Sequence, residues 1–389
     1  MRFDSTVFNR FRSSCIVHYS VLFLIWLYAQ AVFFHQYGIV TGFEAVKYIG
    51  QAHQLLEKGS YSAGQYLFYS VEILLLAFCI HSGIGFGFAV LVQLLFNLLS
   101  VYCLYKTVEF LTHNKLLAFA GTLFFLLQYY YHLYNVHLFT ESLYFSFSVI
   151  YFYFIITIKK LRWKNGIGIF LFLCILYLTR PTGVFFIPAT LLYLILKFFP
   201  KKAVLLLSTT GIAGLILFYF LLNYALGSGG EFDFLLPYLD ERIICGVPTI
   251  NPPHELIVPV EKNSIEGLWY IITHYYPLFI KMAFKRLVMF FGMVRPYYSF
   301  GHNLFVAFYF YSLYILVLIG FRKLISRFTP EFCFAMAMLG LTALTVALSC
   351  DEWHNRFMFA VFPFILILAT LSIHSLYPDK QKHVQATTT

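Results

Sequence analysis

The chain has 389 residues, of which 60% are hydrophobic and 11% are charged, and its net charge is +10. Its apolar residues come in repeated blocks of about 17 to 23, the length that an α-helix needs to cross a bilayer. The composition therefore excludes an ordinary soluble domain, and the excess of Lys and Arg indicates membrane orientation rather than nucleic-acid binding.

Ten of these blocks predict membrane-spanning helices, and we expect a single all-α polytopic membrane domain over residues 1–389. The predicted spans lie at about 16–35, 84–106, 115–133, 140–158, 166–180, 182–198, 203–224, 302–320, 331–349 and 356–376. An additional apolar block at 66–82 is interrupted by Glu72. If that block lies on the membrane surface, about 17 of the 27 Lys and Arg residues and both chain termini become cytoplasmic, as the positive-inside rule requires.

This topology predicts two long extracytoplasmic loops, 36–83 and 225–301, and short cytoplasmic connections. Because loops on a rigid scaffold commonly carry function, the extracytoplasmic face is the predicted active face. The first loop is expected to hold two juxtamembrane helices. One is the block at 66–82, and the other has Glu44 near its start and ends before Gly59. Six apolar residues form a stripe along the latter helix: Ala45, Tyr48, Ile49, Ala52, Leu55 and Leu56.

The seven cysteines are scattered along the chain, several of them inside apolar runs. Their spacing indicates neither a zinc site nor a disulfide framework. We therefore interpret them as small buried apolar residues.

Glu44 is the leading candidate for a catalytic carboxylate. It lies near the start of an amphipathic helix at the membrane surface, where a partly desolvated acid can act as a general base. The spacing Thr41-x-x-Glu44 also matches a capping box, in which the glutamate only caps the backbone of its own helix. The two roles remain alternatives.

Two further charged residues lie at the predicted outer ends of spans. Arg180 suits a lipid-linked phosphate because its guanidinium is permanently charged, although it could instead extend its side chain to the interface. Glu141, which follows Thr140 at the start of a span, could position an acceptor or assist Glu44, or it could be a first-turn acid that interacts favourably with the helix dipole.

The sequence from Asp351 to Arg356 is the densest polar cluster outside the long loops. Arg356 is a second candidate for phosphate binding. A solvated turn is the alternative, and so is a divalent metal held by Asp351, Glu352 and His354. The weaker candidates for phosphate binding are Lys47, Arg295 and His302.

The order of these features resembles the GT-C glycosyltransferases, a family that includes the aminoarabinose transferase of lipid A and the protein O-mannosyltransferases. The resemblance spans about 36–365 and rests on four stretches: Tyr48-Ile49 to Tyr61-Ser62, Thr140 to Tyr144, Leu178 to Gly183, and Arg356 to Pro363. It implies that the family's first-loop acid corresponds to Glu44 and its phosphate-binding cations to Arg180 and Arg356. The family usually carries an Asp pair where this chain has Phe43-Glu44.

The resemblance implies a multi-span membrane enzyme that moves a sugar from a polyprenyl phosphate to an acceptor on the outer or lumenal side of a membrane. We predict an inverting transferase that acts on a lipid, glycan or protein acceptor at the extracytoplasmic face of a bacterial inner membrane. The sequence contains no nucleotide-binding loop, so we expect the donor sugar to be attached to a lipid. We assign no cofactor from the sequence. Two alternatives stay open: an O-antigen polymerase or ligase that uses pyrophosphate-linked donors, and a transporter or flippase of lipid-linked sugars.

Overall fold

The chain folds into α-helices joined by short 3₁₀ turns. The computed structural model describes residues 14–227, 235–247, 256–258, 264–352 and 354–376. No β-strand occurs in these ranges, where only two isolated β-bridges are present. The helices are α1 (Cys15–Tyr37), α2 (Glu44–Lys58), α3 (Ser70–Ser82), α4 (Gly87–Thr112), α5 (Lys115–Leu126), α6 (Tyr129–His132), α7 (Thr140–Thr157), α8 (Trp163–Thr179), α9 (Phe186–Phe198), α10 (Ala203–Gly227), α11 (Leu236–Leu239), α12 (Ile265–His274), α13 (Tyr276–Gly292), α14 (Phe300–Arg327), α15 (Pro330–Leu348) and α16 (Arg356–Leu376).

Within the described residues, eight helical segments are long and apolar enough to cross a membrane, or nine if the bent pair Lys115–Leu126 and Tyr129–Val136 forms one span. This confirms a multi-pass, all-α membrane protein. Helices α7 and α8 form where two more spans were predicted, but they do not meet the same criteria of length and hydropathy. The predicted number of ten spans therefore stays a prediction.

The segment Gly64–Ser82, predicted as a surface helix, is one of the eight segments able to span a membrane. It consists of a 3₁₀ turn, Gly64–Tyr69, followed by α3. Length and composition do not distinguish its two placements, so the surface location remains a prediction. The chain termini, which were predicted to be cytoplasmic, lie outside the described residues.

The chain divides into two compact units. The first comprises Met1–Val184, Tyr311–Ala335 and Phe362–Thr389, and the second comprises Phe185–Phe310 and Met336–Val361. Three of the boundaries fall inside α14, α15 and α16. The expectation of a single membrane domain stays a prediction.

In the first unit, α7 is the central helix, and most of its side chains are buried. Polar contacts hold its neighbours together: Trp26 Nε1 donates to Asn97 Oδ1 at 2.8 Å, and Ser142 Oγ donates to Asn135 Oδ1 at 2.7 Å. Such hydrogen bonds between helices stabilise a membrane protein because lipid offers no alternative partner. They also fix the segment before α7, to which the first loop is attached.

In the second unit, a core cluster of Leu235, Tyr238, Leu268, Ile271 and Met282 joins α11, α12 and α13. Arg286 is fully buried beside this cluster. Its guanidinium lies 4.4 Å from the centre of the Tyr238 ring. It also donates to three backbone carbonyls, those of Pro237, Arg242 and Ala347. Arg286 therefore has a structural role, since hydrogen bonds and a cation–π contact satisfy its charge.

Cys245 and Cys350 form a disulfide in the second unit, with their Cα atoms 5.3 Å apart. The interpretation of all seven cysteines as unpaired apolar residues was therefore wrong. Both cysteines lie in or beside the loops predicted to face outward, and that location was the signal in the sequence, because disulfides persist in oxidising compartments. Beside the disulfide, the Cys245 N–H donates to the Asp351 carbonyl at 2.7 Å and the Asp351 N–H donates to the Ile243 carbonyl at 2.9 Å.

We expect five cysteines to react with a maleimide reagent in the unfolded, unreduced protein and seven to react after reduction. Replacing Cys245 by Ser should lower stability by about 2 to 5 kcal/mol, because the bond closes a loop of about 100 residues. Intact-mass spectrometry counts the labels, and thermal unfolding in detergent reports the stability. Cys174→Ser is the matched control and should leave the disulfide intact. Seven labels without reduction would contradict the assignment.

Candidate functional site

A β-bridge between Val40 and His137 brings the first loop beside the start of α7. The Val40 N–H donates to the Val136 carbonyl at 2.9 Å, and the Leu138 N–H donates to the Val40 carbonyl at 3.2 Å. Glu44 lies four residues after Val40, and Glu141 lies four residues after His137. The bridge therefore brings two acids that are distant in the sequence to neighbouring helix starts.

Glu44 is the first residue of α2, and its helix cap is Phe43 rather than Thr41. The capping-box alternative, which needs Thr41 as the cap and Glu44 three positions later, is therefore wrong. Phe43 has a φ of 54°, a value that is strained for a bulky residue and costs about 1 to 3 kcal/mol. Strain of this kind concentrates at functional sites, and here it lies immediately before the candidate carboxylate.

The apolar face of α2 differs in part from the predicted stripe. Ala45, Tyr48 and Ala52 are buried as expected, but Gln51 is also buried and Leu56 is exposed. Gln51 can be buried because both the nitrogen and the oxygen of its side-chain amide form hydrogen bonds. Its Nε2 donates to Ser62 Oγ at 2.6 Å, and its Oε1 accepts from the Ser62 N–H at 3.0 Å.

Tyr48 lies at the centre of the candidate site, although the sequence indicated only a core position for it. Its hydroxyl donates to Glu44 Oε2 at 3.4 Å. Burial raises the pKa of the Tyr48 phenol well above its usual value, and the negative charges of Glu141 and Glu44 raise it further, while Arg180 opposes them. Tyr48 therefore keeps its proton and can donate to Glu44.

Two cations complete this group, which we call the Tyr48 cluster: Glu44, Lys47, Tyr48, Glu141 and Arg180. The Lys47 ammonium lies 5.0 Å from the centre of the Tyr48 ring and 5.1 Å from the centre of the Tyr69 ring. Arg180 Nη1 pairs with Glu141 Oε1, and the Glu141 side chain is fully buried while that of Arg180 is 11% exposed. The cluster thus contains a partly buried carboxylate, a phenol donor, a second acid and two cations.

Backbone geometry fixes the position of Arg180. It caps the C-terminus of α8 in an extended conformation, and the Gly183 N–H donates to its carbonyl at 2.8 Å. A Cβ atom on Gly183 would lie 2.3 Å from the Leu176 carbonyl oxygen. Only glycine fits there, because the turn after Arg180 passes directly over the end of α8.

The second unit contains the predicted residues Asp351, Arg356 and His302. Asp351 forms a fully buried ion pair with Arg295 Nη2, and its Oδ1 accepts from the Glu352 N–H at 2.9 Å. Asn303 holds the Arg295 backbone with hydrogen bonds of 2.9 and 2.8 Å. Burial raises the pKa of Asp351 to about 6, and the positive charge of Arg295 limits the increase.

The segment from Asp351 to Arg356 is not a solvated turn, because Asp351, Asn355 and Arg356 are all buried. Arg295 is buried because it pairs with the buried carboxylate of Asp351. From the sequence, Arg295 was only a weaker candidate for phosphate binding. No group of three or more His, Cys, Asp or Glu residues in the described ranges is placed to hold a metal ion.

His302 lies in the first turn of α14, and its ring stacks on Tyr298 with the ring centres 3.8 Å apart. The predicted site residues therefore form two groups, one in each unit. The sequence alone did not reveal the roles of Tyr48 and Arg295, because a buried tyrosine and a membrane-proximal arginine have no distinctive spacing.

Comparison with known proteins adds no identification: no family model, curated protein or solved structure matches the chain. Functional assignment therefore depends on the chemistry of these two groups and on the membrane-protein fold.

Proposed function

We propose that the protein is an inverting glycosyltransferase of the GT-C type, which moves a sugar from a polyprenyl phosphate to a hydroxyl-bearing acceptor. The Tyr48 cluster carries this proposal, because it combines a carboxylate, Glu44, with two cations in a protein whose helices can cross a membrane. These are the groups needed to activate an acceptor hydroxyl and to stabilise a leaving phosphate.

In the proposed reaction, Glu44 takes the proton of the acceptor hydroxyl while the hydroxyl oxygen bonds to the anomeric carbon of the donor sugar. The bond between that carbon and the phosphate oxygen breaks, and the polyprenyl phosphate leaves with the electron pair. Arg180 and Lys47 stabilise its negative charge. Because a guanidinium has five N–H donors, pairing with Glu141 orients Arg180 and is compatible with binding an anion.

The proposal includes ten spans, cytoplasmic termini and an active face on the outer side of a bacterial inner membrane. The disulfide between Cys245 and Cys350 supports this orientation, since it joins two loops that the distribution of basic residues assigns to the outer side. Arg356, in the second unit, remains a predicted phosphate-binding residue, and Asp351 and His302 remain predicted substrate-binding residues.

Two observations favour a transporter of lipid-linked sugars as the second candidate function. The Lys115–Leu126 and Tyr129–Val136 pair is bent by 70°, and Glu72 is a fully buried acid in an apolar segment. Broken helices and buried ionisable groups are typical of transport proteins.

Mass spectrometry of envelope glycans and glycolipids tests the proposal in cells. Deleting the gene should remove one sugar residue from a defined glycan or lipid, and wild-type protein should restore it, whereas protein carrying Arg180→Gln should not. Lys58→Gln, which changes an exposed cation at the other end of α2, should restore it fully. Unchanged glycans after deletion, or restoration by Arg180→Gln at wild-type protein level, would contradict the proposal.

A further inference from the structure

Glu72 lies in α3, inside the apolar segment Gly64–Ser82, and its side chain is fully buried. Neither of its carboxyl oxygens has a hydrogen-bond partner in the part of the chain that the structure describes. An ionised carboxylate without a partner is very unfavourable in such surroundings, because burial penalises the charged form of an acid. Glu72 has no role in the reaction proposed above.

The amide of Gln93, in α4, lies close to this carboxyl and favours its ionised form, but burial has the larger and opposite effect. Its nitrogen is already used, since Nε2 donates to the carbonyls of His137 at 3.1 Å and Phe139 at 3.4 Å. Its oxygen, Oε1, is buried and has no partner within the described residues. The carboxyl of Glu72 and the amide oxygen of Gln93 are therefore two buried acceptors without a donor in the described residues, and a proton on Glu72 removes the cost of a buried negative charge.

The charges around Glu72 also disfavour its ionisation. Glu141, in α7, is an acid within electrostatic range of Glu72, and Cys79, which lies in α3 with Glu72, is a neighbouring thiol. Glu141 is already paired with Arg180. An ionised Glu72 would therefore add a second negative charge beside an ion pair that has a single positive charge. Helix α2, which also packs against α3, carries Glu44, Lys47 and Tyr48, and the 3₁₀ turn and α8, which contact α3 as well, carry Tyr69 and Tyr177.

We propose that Glu72 is a buried proton-binding site, in which its carboxyl group is uncharged at neutral pH. A consequence, which rests on the proposed function, concerns Arg180. A neutral Glu72 leaves the Glu141–Arg180 pair without excess negative charge, so Arg180 can attract an anionic phosphate. Loss of the proton would weaken that attraction.

Dicyclohexylcarbodiimide, an apolar reagent, tests the protonation of Glu72 directly. In its reaction the carboxyl proton passes to a carbodiimide nitrogen, and the carboxyl oxygen bonds to the central carbon, so an ionised carboxylate in an apolar site does not react. In purified wild-type protein at about pH 7, peptide mass spectrometry should find the adduct on Glu72. Glu57, an exposed acid outside any apolar site, should stay unmodified. Glu72→Gln should remove the adduct.

Infrared spectroscopy provides a readout that does not depend on access of the reagent. Wild-type protein at about pH 7 should show the carbonyl band of a protonated carboxylic acid, and Glu72→Gln should lose it while retaining the fold. If the variant does not fold, Glu72→Asp should keep the band. Absence of both the adduct and the band would overturn the proton site.

Binding of a polyprenyl phosphate tests the consequence for Arg180. Affinity in wild-type protein should fall at least tenfold when Glu72 becomes ionised at alkaline pH, and Glu72→Gln should remove this loss. An equal loss in both proteins would overturn the coupling to Arg180. Failure of any polyprenyl phosphate to bind, with the adduct and band still present, would instead contradict the proposed transferase and leave the proton site established.

Discussion

Replacing Glu44 by Gln is expected to reduce sugar transfer about 10²- to 10⁴-fold, the contribution of a positioned general base. The amide keeps the size of the side chain and can still contact the Tyr48 hydroxyl, but it cannot take the proton of the acceptor. Turnover of a labelled polyprenyl-phosphate sugar by purified protein is the measurement.

The matched control for Glu44→Gln is Glu57→Gln. Glu57 is an exposed acid on the same helix, so its replacement makes the same chemical change outside the Tyr48 cluster. Transfer by this control should equal that of the wild type. Tyr48→Phe should cause a smaller loss than Glu44→Gln, since it removes only the hydroxyl that donates to the carboxylate. Turnover near the wild-type rate in a folded Glu44→Gln protein would remove Glu44 from the mechanism.

Replacing Arg295 by Met is expected to destabilise the protein by about 3 to 5 kcal/mol, because it leaves Asp351 as a buried charge without its partner. The double variant Arg295→Met with Asp351→Leu should recover most of this loss, since it removes both charges from the buried site. The control is Arg242→Met. Arg242 pairs with Asp240 at a site where both side chains are partly exposed, so the loss should be about 1 kcal/mol or less.

The destabilisation by Arg295→Met should depend on pH. The pKa of Asp351 is already raised to about 6 with Arg295 present, and removing the cation raises it further. The folded variant then binds a proton more tightly than the unfolded chain, in which an aspartate has a pKa of about 3.9. Its stability therefore falls as the pH rises from about 4 through the folded-state pKa.

Thermal unfolding in detergent should show a larger deficit for Arg295→Met at about pH 7.5 than at about pH 5.5. The double variant should show little difference between the two pH values. If Arg295→Met unfolds at the same temperature as the wild type at both pH values, the ion pair does not stabilise the second unit.

The helical membrane fold could be predicted because each span is a local property of the sequence. A block of about 20 apolar residues needs no distant partner to be identified as a potential span. Placement of Gly64–Ser82 could not be decided in the same way, because its one acid, Glu72, is accommodated by burial inside the protein. The bend between Leu126 and Tyr129 was also not foreseen, since the apolar pattern continues through it.

The candidate site could be predicted only in part. Glu44, Glu141 and Arg180 were identified because charged residues at the ends of apolar spans are conspicuous. Their arrangement around Tyr48 depends on the bridge between Val40 and His137, which no local pattern reveals. In the second unit, the pairing of Arg295 with Asp351 is likewise a contact between residues distant in the sequence.

Covalent transfer of sugar by the purified protein is the measurement that tests the proposed function most directly. Wild-type protein in lipid vesicles, given a labelled polyprenyl-monophosphate sugar and an acceptor, should form a labelled product by transfer from the monophosphate donor. Product formed only from a pyrophosphate-linked donor would contradict this function and indicate a polymerase or ligase. Movement of the labelled lipid across the vesicle membrane without any product would contradict it as well, and would indicate a transporter.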